Sequence, residues 1–460
     1  MRNSFGSISR QSDAIRAGKQ LPSELVGECC SLIKAQDSRL GAFEEIFLDD
    51  ALKAAEAADR SIDTGHRIGP FHGLPFALKD IIEVADKITT AGSPLRKEHA
   101  SKTTAVIASR LISSGGILVG KTKTVEFAYG GWGTNEHMGT PWNPWDSTQH
   151  RAPGGSSSGS AVAVAAGLAG CAVGTDTGGS VRLPSSWCGL VGLKVTEGLL
   201  PTSGIVPLSH TLDTPGPMTR CVEDTVLMFE TLLGRSPSAI DHDRDKRVGL
   251  WGALDKGVRG LRLAVLDDAE RGWADTTIRD LYDNALDLLS NLGAHIEVVR
   301  LPMGFNDLKD ASGTIMSAEG YYHHGSWYED EHVLCDGAVR PRILAGRNIS
   351  SQSYIKAMQQ RLEDQMLFQA SLQSFDALIT PTTMTPAVLV ATINQSDTPA
   401  HFTRAANYLG MCGLTLPMGL TDAGLPGGLQ LMAPAYCEAR VLQIGAAFEQ
   451  VAPIIGAPPT

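Results

Sequence analysis

The sequence has no CxxC pair and no apolar run long enough to cross a bilayer. Its eight cysteines (Cys29, Cys30, Cys171, Cys188, Cys221, Cys335, Cys412 and Cys437) are scattered over the whole length. That spacing excludes a structural zinc site and a disulfide framework, and leaves the thiols as small buried hydrophobes. The longest apolar run, Ala161 to Val173, is mostly Ala, Gly and Val, well short of the roughly 20 residues a membrane-spanning helix needs. The first thirty residues hold no apolar segment of the kind that precedes a cleavage site, so the expectation is a cytoplasmic protein without a signal, off the membrane. Positive charge is also scarce: 39 Lys and Arg stand against 50 Asp and Glu, a net charge of −11. A broad nucleic-acid surface is therefore not expected. The 49 glycines cluster and follow no collagen or solenoid period.

What is present is enough apolar residue for a large core, 43% against 19% charged. Residues 1–67 are charged with helical spacing, as in Glu44 to Arg60, and read as two or three amphipathic helices. From Gly69 to Arg220, short apolar runs (Leu74 to Leu78, Ile117 to Val119) alternate with helical stretches such as Thr104 to Ser114. The pattern resumes at Leu261 to Leu266, a helix near Thr277 to Leu292, and strands at Ile296 to Val299 and Ala377 to Ile379. Alternation of this kind predicts an α/β sheet buried on both faces. Residues about 300–370 read as mainly helical. No stretch has the composition of a linker, so the expectation is one domain over residues 1–460.

Three motifs compete. Gly115 to Thr122 satisfies the phosphate-loop pattern GxxxxGK[ST], but a helix pattern precedes it and Ile117-Leu118-Val119 belongs in a strand, the reverse of the order a phosphate loop needs. Gly155-Ser156-Ser157-Ser158-Gly159 matches GxSxG with Ser157 as nucleophile, and Asp213 and His242 could complete a triad. No buried strand precedes it, as a nucleophile elbow requires. The third reading joins Gly154 to Ser160, Gly174 to Arg182 and a distant lysine, Lys79, that ends the apolar run Gly73-Leu-Pro-Phe-Ala-Leu-Lys. Burial disfavours the ammonium, so a desolvated lysine can act as a base near neutral pH. Successive N–H groups at Thr177, Gly178, Gly179 and Ser180 can converge on one oxygen as an oxyanion hole.

These blocks, with Gly120 to Glu126, Asn143-Pro-Trp145, Gly192-Leu-Lys194, Asp213 to Arg220 and Gly424 to Gln430, resemble the amidase signature family from about Gly69 to Glu449. The resemblance implies a single large domain with a central mixed β-sheet covered by helices on both faces. It also implies a Ser, cis-Ser and Lys triad that falls on Ser180, Ser156 and Lys79, with a cis peptide bond before Ser156. The implied activity is hydrolysis of a small carboxamide through an acyl-enzyme, with no metal or organic cofactor and a homodimer as a plausible assembly. Beside the triad, Asp176 and Arg182 are expected to pin the nucleophile loop, and Asp213 and Arg220 to be structural. Ser157 and Ser158 either join the hydrogen-bond network or cap a helix.

The family also holds hydrazide hydrolases, aminomuconate-type deaminases and the glutaminase subunit of tRNA-dependent amidotransferases. The last group carries a Pro-Thr-Tyr-Gly-Arg run where this chain reads Val195-Thr-Glu-Gly-Leu-Leu. A silent scaffold is a further alternative, disfavoured by retention of Lys79, Ser156 and Ser180 together. Candidate substrate-binding aromatics are Phe127, Tyr129, Trp132, Tyr321, Tyr322 and Trp327, which either line a pocket or pack a lid. Arg340, Arg342 and Arg347 are candidate carboxylate clamps.

Overall fold

The computed structural model describes residues 6–459; the other residues of the expected 1–460 domain lie outside the described residues. Among the described residues eleven strands form one sheet: β1 (Phe43–Ile46), β2 (Pro75–Lys79), β3 (Ile117–Thr122), β4 (Cys171–Asp176), β5 (Val191–Lys194), β6 (Thr214–Thr219), β7 (Arg262–Leu266), β8 (His295–Val299), β9 (Ala377–Pro381), β10 (Cys412–Leu420) and β11 (Pro426–Ala433). Their spatial order is β1-β3-β2-β4-β6-β5-β10-β11-β9-β7-β8. The sheet is mixed: β2 runs parallel to β3 and β4, and β7 to β8 and β9, while the remaining pairs are antiparallel. Every residue of β2, β4, β5, β6, β9 and β11 is buried. That is why these strands read as continuous apolar or Gly-rich runs without alternation.

Helix formation follows local signals. In Thr276–Asn291 the Asp275 side chain caps the first turn by accepting from the Ile278 N–H at 2.8 Å. Ile278, Tyr282, Ala285 and Leu289 then recur every three to four residues and form its buried face. The described part of the N-terminal segment supplies three helices, Ile8–Arg16, Pro22–Leu40 and Leu48–Asp63. The expected helix from Glu44 begins four residues late, because Phe43–Ile46 pairs with β3 as an edge strand. Of the expected runs, Ile117 to Val119 and Ala377 to Ile379 lie within β3 and β9, and Leu74 to Leu78 lies in β2 apart from Leu74, which precedes it. Residues 305–372 are mainly helical, as Phe305–Tyr328, Val339–Leu344 and Ser351–Leu372. The Gly- and Pro-bearing strands β5, β6, β10 and β11 had no strand signal in sequence, since neither residue favours the extended ladder.

The sheet places the chemistry. Because β2 and β4 are parallel neighbours, with Leu78 level with Val173, their C-terminal ends lie on one edge. The helix Ser158–Ala165 packs on both strands and leads into β4. This is the edge where α/β sheets collect ligands.

The phosphate-loop look-alike resolves into a helix (Val106–Ser113), a turn and β3. Lys121 is fully buried and donates to Asp80 Oδ1 at 2.7 Å and Thr89 Oγ1 at 3.0 Å. Asp80 also accepts from the Thr90 N–H. Replacing Lys121 by alanine leaves the Asp80 carboxylate buried without its cation, so Lys121→Ala should lower unfolding stability by about 3–5 kcal/mol in denaturant titration, with no effect of added ATP on either protein's melting temperature.

Candidate active site

Lys79 is the last residue of β2 and is wholly buried. Its Nζ donates to Ser156 Oγ at 2.7 Å and to Thr175 Oγ1 at 2.8 Å. Both partners are neutral hydroxyls. Burial brings Lys79 down to about 7, and the fields of Asp213 and Asp176 oppose the shift without cancelling it. The Gly155–Ser156 peptide is cis, and Ser156 is fully buried.

Ser180 lies on the loop between β4 and the helix Arg182–Trp187 and lines a cleft with Tyr129, Gly155, Thr177 and Gly178. Its backbone carbonyl accepts from the Ser157 N–H at 3.3 Å, which ties the two serine segments together. The Ser180 hydroxyl donates to no protein acceptor among the described residues and faces the cleft. The neighbouring loop is held by Asp176. This carboxylate accepts from the N–H groups of Gly179 (2.7 Å) and Val181 (3.1 Å) and from Arg182 Nη2 (2.9 Å) and Nε (3.0 Å). Burial pushes Asp176 up, but Arg182, Lys194 and the Asn407 amide outweigh it and hold the group well below the usual carboxylate range. Arg182 also reaches Gln430 Oε1 and Asn407 Oδ1, each at 2.7 Å. The pair is fully buried, and neither residue forms part of the cleft lining.

This network changes the inventory of donors. The Gly179 N–H, expected beside three others at the oxyanion, is occupied by Asp176. The N–H groups of Thr177, Gly178 and Ser180 are taken by no acceptor among the described residues. Thr177 is itself fixed, its hydroxyl donating to Asp213 Oδ1 at 2.5 Å. Asp213 accepts from the N–H groups of Leu208 and Ser209 as well, and burial pushes it up to about 6. Arg220 donates to the carbonyls of Val164, Ala169 and Gly170, closing the end of the helix that begins at Ser158.

Ser157 is turned away from the cleft. Its Oγ accepts from the Thr175 N–H and donates to the Thr175 carbonyl, both at 3.2 Å. It occupies the N-cap position of Ser158–Ala165 but its hydroxyl caps nothing. His242 is exposed and pairs with Asp243 rather than with Asp213, whose partners are Thr177, Leu208 and Ser209. The GxSxG reading therefore has no triad. Cys188 is buried, with its thiol against the Pro153 carbonyl and pushed up by burial.

Of the six aromatic candidates, the structure brings Tyr129 alone to the cleft lining, its hydroxyl 3.0 Å from Ser317 Oγ. Phe127 is buried and stacks on His324 (4.1 Å between centroids) and against Trp327 (5.3 Å). Trp132 stacks on Trp187. Tyr321 donates to Glu329, and Tyr322 is 77% exposed. Phe127 and Trp327 thus join the helix Phe305–Tyr328 to the turn Glu126–Ala128. Of the candidate arginines, Arg347 pairs with Glu329 and Arg340 donates to the carbonyls of Tyr328 and Asp330, whereas Arg342 lines the cleft. Sequence reading missed Met316, Leu208 and Arg404, which line it too; no motif marks them.

The amidase family model matches residues 24–442. The chain is 35% identical to a 2-amino-5-chloromuconic acid deaminase of Comamonas testosteroni, with 98% of each chain covered. It is 32% identical to a glutamyl-tRNA(Gln) amidotransferase chain of Alkaliphilus metalliredigens, over 91% of this chain and 90% of that one. The solved structure of native peptide amidase from Stenotrophomonas maltophilia is similar with a TM-score of 0.86 at 30% identity, over 99% of both chains.

Gly179 has φ +122, and a β-carbon there would overlap Thr403 Oγ1. Gly179→Ala should therefore displace the loop that carries Ser180: labelling of Ser180 by a fluorophosphonate is expected to slow at least about tenfold, with a lower melting temperature. Unchanged labelling would show that the loop tolerates the side chain.

Proposed function

Because the chain belongs to the amidase signature family, hydrolases of amide C–N bonds, we propose that it cleaves a small carboxamide with Ser180 as nucleophile, Ser156 as proton relay and Lys79 as base. The observation that carries this reading is the contact of 2.7 Å between a fully buried Lys79 Nζ and Ser156 Oγ, with no carboxylate of a described residue touching the amine. A lysine brought to about 7 is largely neutral at mildly alkaline pH and has a lone pair for a proton.

In the forward step Ser180 Oγ attacks the amide carbon while its proton passes to Ser156 and the Ser156 proton to Lys79. Thr177, Gly178 and Ser180 N–H groups receive the charge that develops on the carbonyl oxygen. Lys79, now an ammonium, returns the proton through Ser156 to the leaving nitrogen. The C–N bond breaks, leaving an ester on Ser180 that water opens by the same relay. Asp213 and Asp176 supply the negative field that stabilises the transient ammonium without a direct contact that would fix it. Residues about 300–370 form the substrate side of this site, through Met316 and Arg342 in the cleft lining. The likeness to the muconate deaminase supports a second reading, release of ammonia from an amino-substituted unsaturated acid at the same serine.

Ammonia release from aliphatic, aryl and amino-acid amides, glutamine included, tests the reading. It should be abolished in Ser180→Ala and fall by about 10²–10⁴ in Lys79→Ala with the fold retained by circular dichroism. Full activity of Lys79→Ala would end the relay.

The pH dependence has a fixed sign. Below about 7 Lys79 is protonated and accepts nothing, so kcat/KM for the free enzyme should climb with pH and level off above that value. A profile flat from pH 5 to 9 contradicts lysine as the base.

A further inference from the structure

The cleft holds positive charge that the protein does not neutralise. Arg342 and Arg404 both line it, in a chain whose net charge is −11. Arg342 is engaged by the backbone around it: Nη1 donates to the Tyr129 carbonyl at 2.9 Å, and Nη2 to the carbonyl and side-chain oxygen of Gln395 at 2.7 and 3.1 Å. Arg404 is not. Its Nη1 donates to the Lys309 carbonyl at 3.1 Å, while Nε and Nη2 donate to no acceptor among the described residues. No carboxylate oxygen of a described residue lies within 4.0 Å of it. Asp310, the acid whose field reaches it, is 71% exposed and turned to Lys309. A guanidinium keeps its charge, and its planar fork fits two carboxylate oxygens at once.

Position gives the charge a purpose. A β-carbon built on Gly178 would lie 3.1 Å from Arg404 Cγ and 3.7 Å from Arg404 Nε. The guanidinium thus borders the backbone segment whose N–H groups face the reacting carbonyl. Met316 Cε lies on the same side, 3.3 Å from that point, giving an apolar wall beside the cation. The acidic residue in the lining, Asp397, is exposed, and its Oδ2 accepts from Asn394 Nδ2 at 2.9 Å.

We infer that the substrate carries a carboxylate a few bonds from its amide, and that Arg404 binds it. This inference rests on the hydrolase reading and narrows it to small acid amides. Arg342, held rigid by Tyr129 and Gln395, adds field and not a second fork.

Paired substrates test it. Succinamic acid and butanamide differ in a terminal carboxylate against a methyl, as do glutaramic acid and pentanamide. The native protein should favour the acid in each pair by about a hundredfold in kcat/KM for ammonia release. In Arg404→Gln the ratio should fall to near one, and in Arg404→Lys, which keeps the charge, most of it should return. A native ratio near one, or a ratio unchanged in Arg404→Gln, overturns the inference. If neither member of either pair releases ammonia, the hydrolase reading is what suffers, and melting temperature decides the carboxylate separately. Succinate and glutarate should then raise the melting temperature of the native protein more than that of Arg404→Gln, whereas equal shifts, or none, overturn it.

Discussion

One buried amine without a counter-ion in contact governs this structure. Lys79 and Lys121 are both wholly buried, on adjacent parallel strands, β2 and β3, that place Leu78 level with Lys121 and Lys79 level with Thr122. Lys121 meets Asp80 at 2.7 Å. Lys79 meets two hydroxyls. Asp80 directly follows Lys79 in the chain, and were it aimed at that amine it would keep it charged. Successive side chains of an extended segment point to opposite faces, so Asp80 is delivered to Lys121 and Lys79 is left buried between two hydroxyls, with no carboxylate of a described residue in contact. The same alternation that pairs one lysine with a carboxylate leaves its neighbour in space among hydroxyls.

The loop that carries Ser180 answers a different constraint. Backbone N–H groups must be paired when buried, and a loop that offers several to a substrate has to be held by other means. Asp176 supplies the hold. It collects Gly179, Val181 and Arg182, while Arg182 is anchored to Gln430 and Asn407 across the sheet. A buried ion pair of this kind is weak as a source of stability, and its geometric effect is what counts here. It fixes the chain so that Thr177, Gly178 and Ser180 present their donors to the cleft. Thr177 receives a second tether from Asp213, which also lies in the field of Lys79. The loop and the surroundings of Lys79 are thereby linked through one carboxylate.

The far wall of the cleft is built from chain remote in sequence. Met316 comes from the helix Phe305–Tyr328, Arg342 from Val339–Leu344 and Arg404 from Arg404–Tyr408. The first of these helices is anchored by aromatic packing, Phe127 on His324 and Trp327. The side of the cleft that carries Ser180 is thus made by the sheet edge, and the opposite wall by helices laid over it. Such a division lets the chemistry stay fixed while the lining varies.

The sequence by itself determined the chemistry-bearing segments. An apolar run ending in Lys79 is legible because a buried strand needs no alternation, and glycines before Ser180 are legible because a backbone that approaches a ligand closely cannot carry side chains. The α/β class followed from strand and helix patterns that repeat in order. Only the tertiary structure decided which donors remain open, since the loss of the Gly179 N–H depends on where Asp176 points. It also decided which side chains line the cleft: five of the six aromatic candidates were drawn into packing or left outside it, and Arg404, which no motif marks, was brought against Gly178. The physical reason is that bases and nucleophiles sit on local motifs, where spacing along the chain carries the information. A pocket is an encounter between segments hundreds of residues apart, and its composition is written in the packing of helices on the sheet.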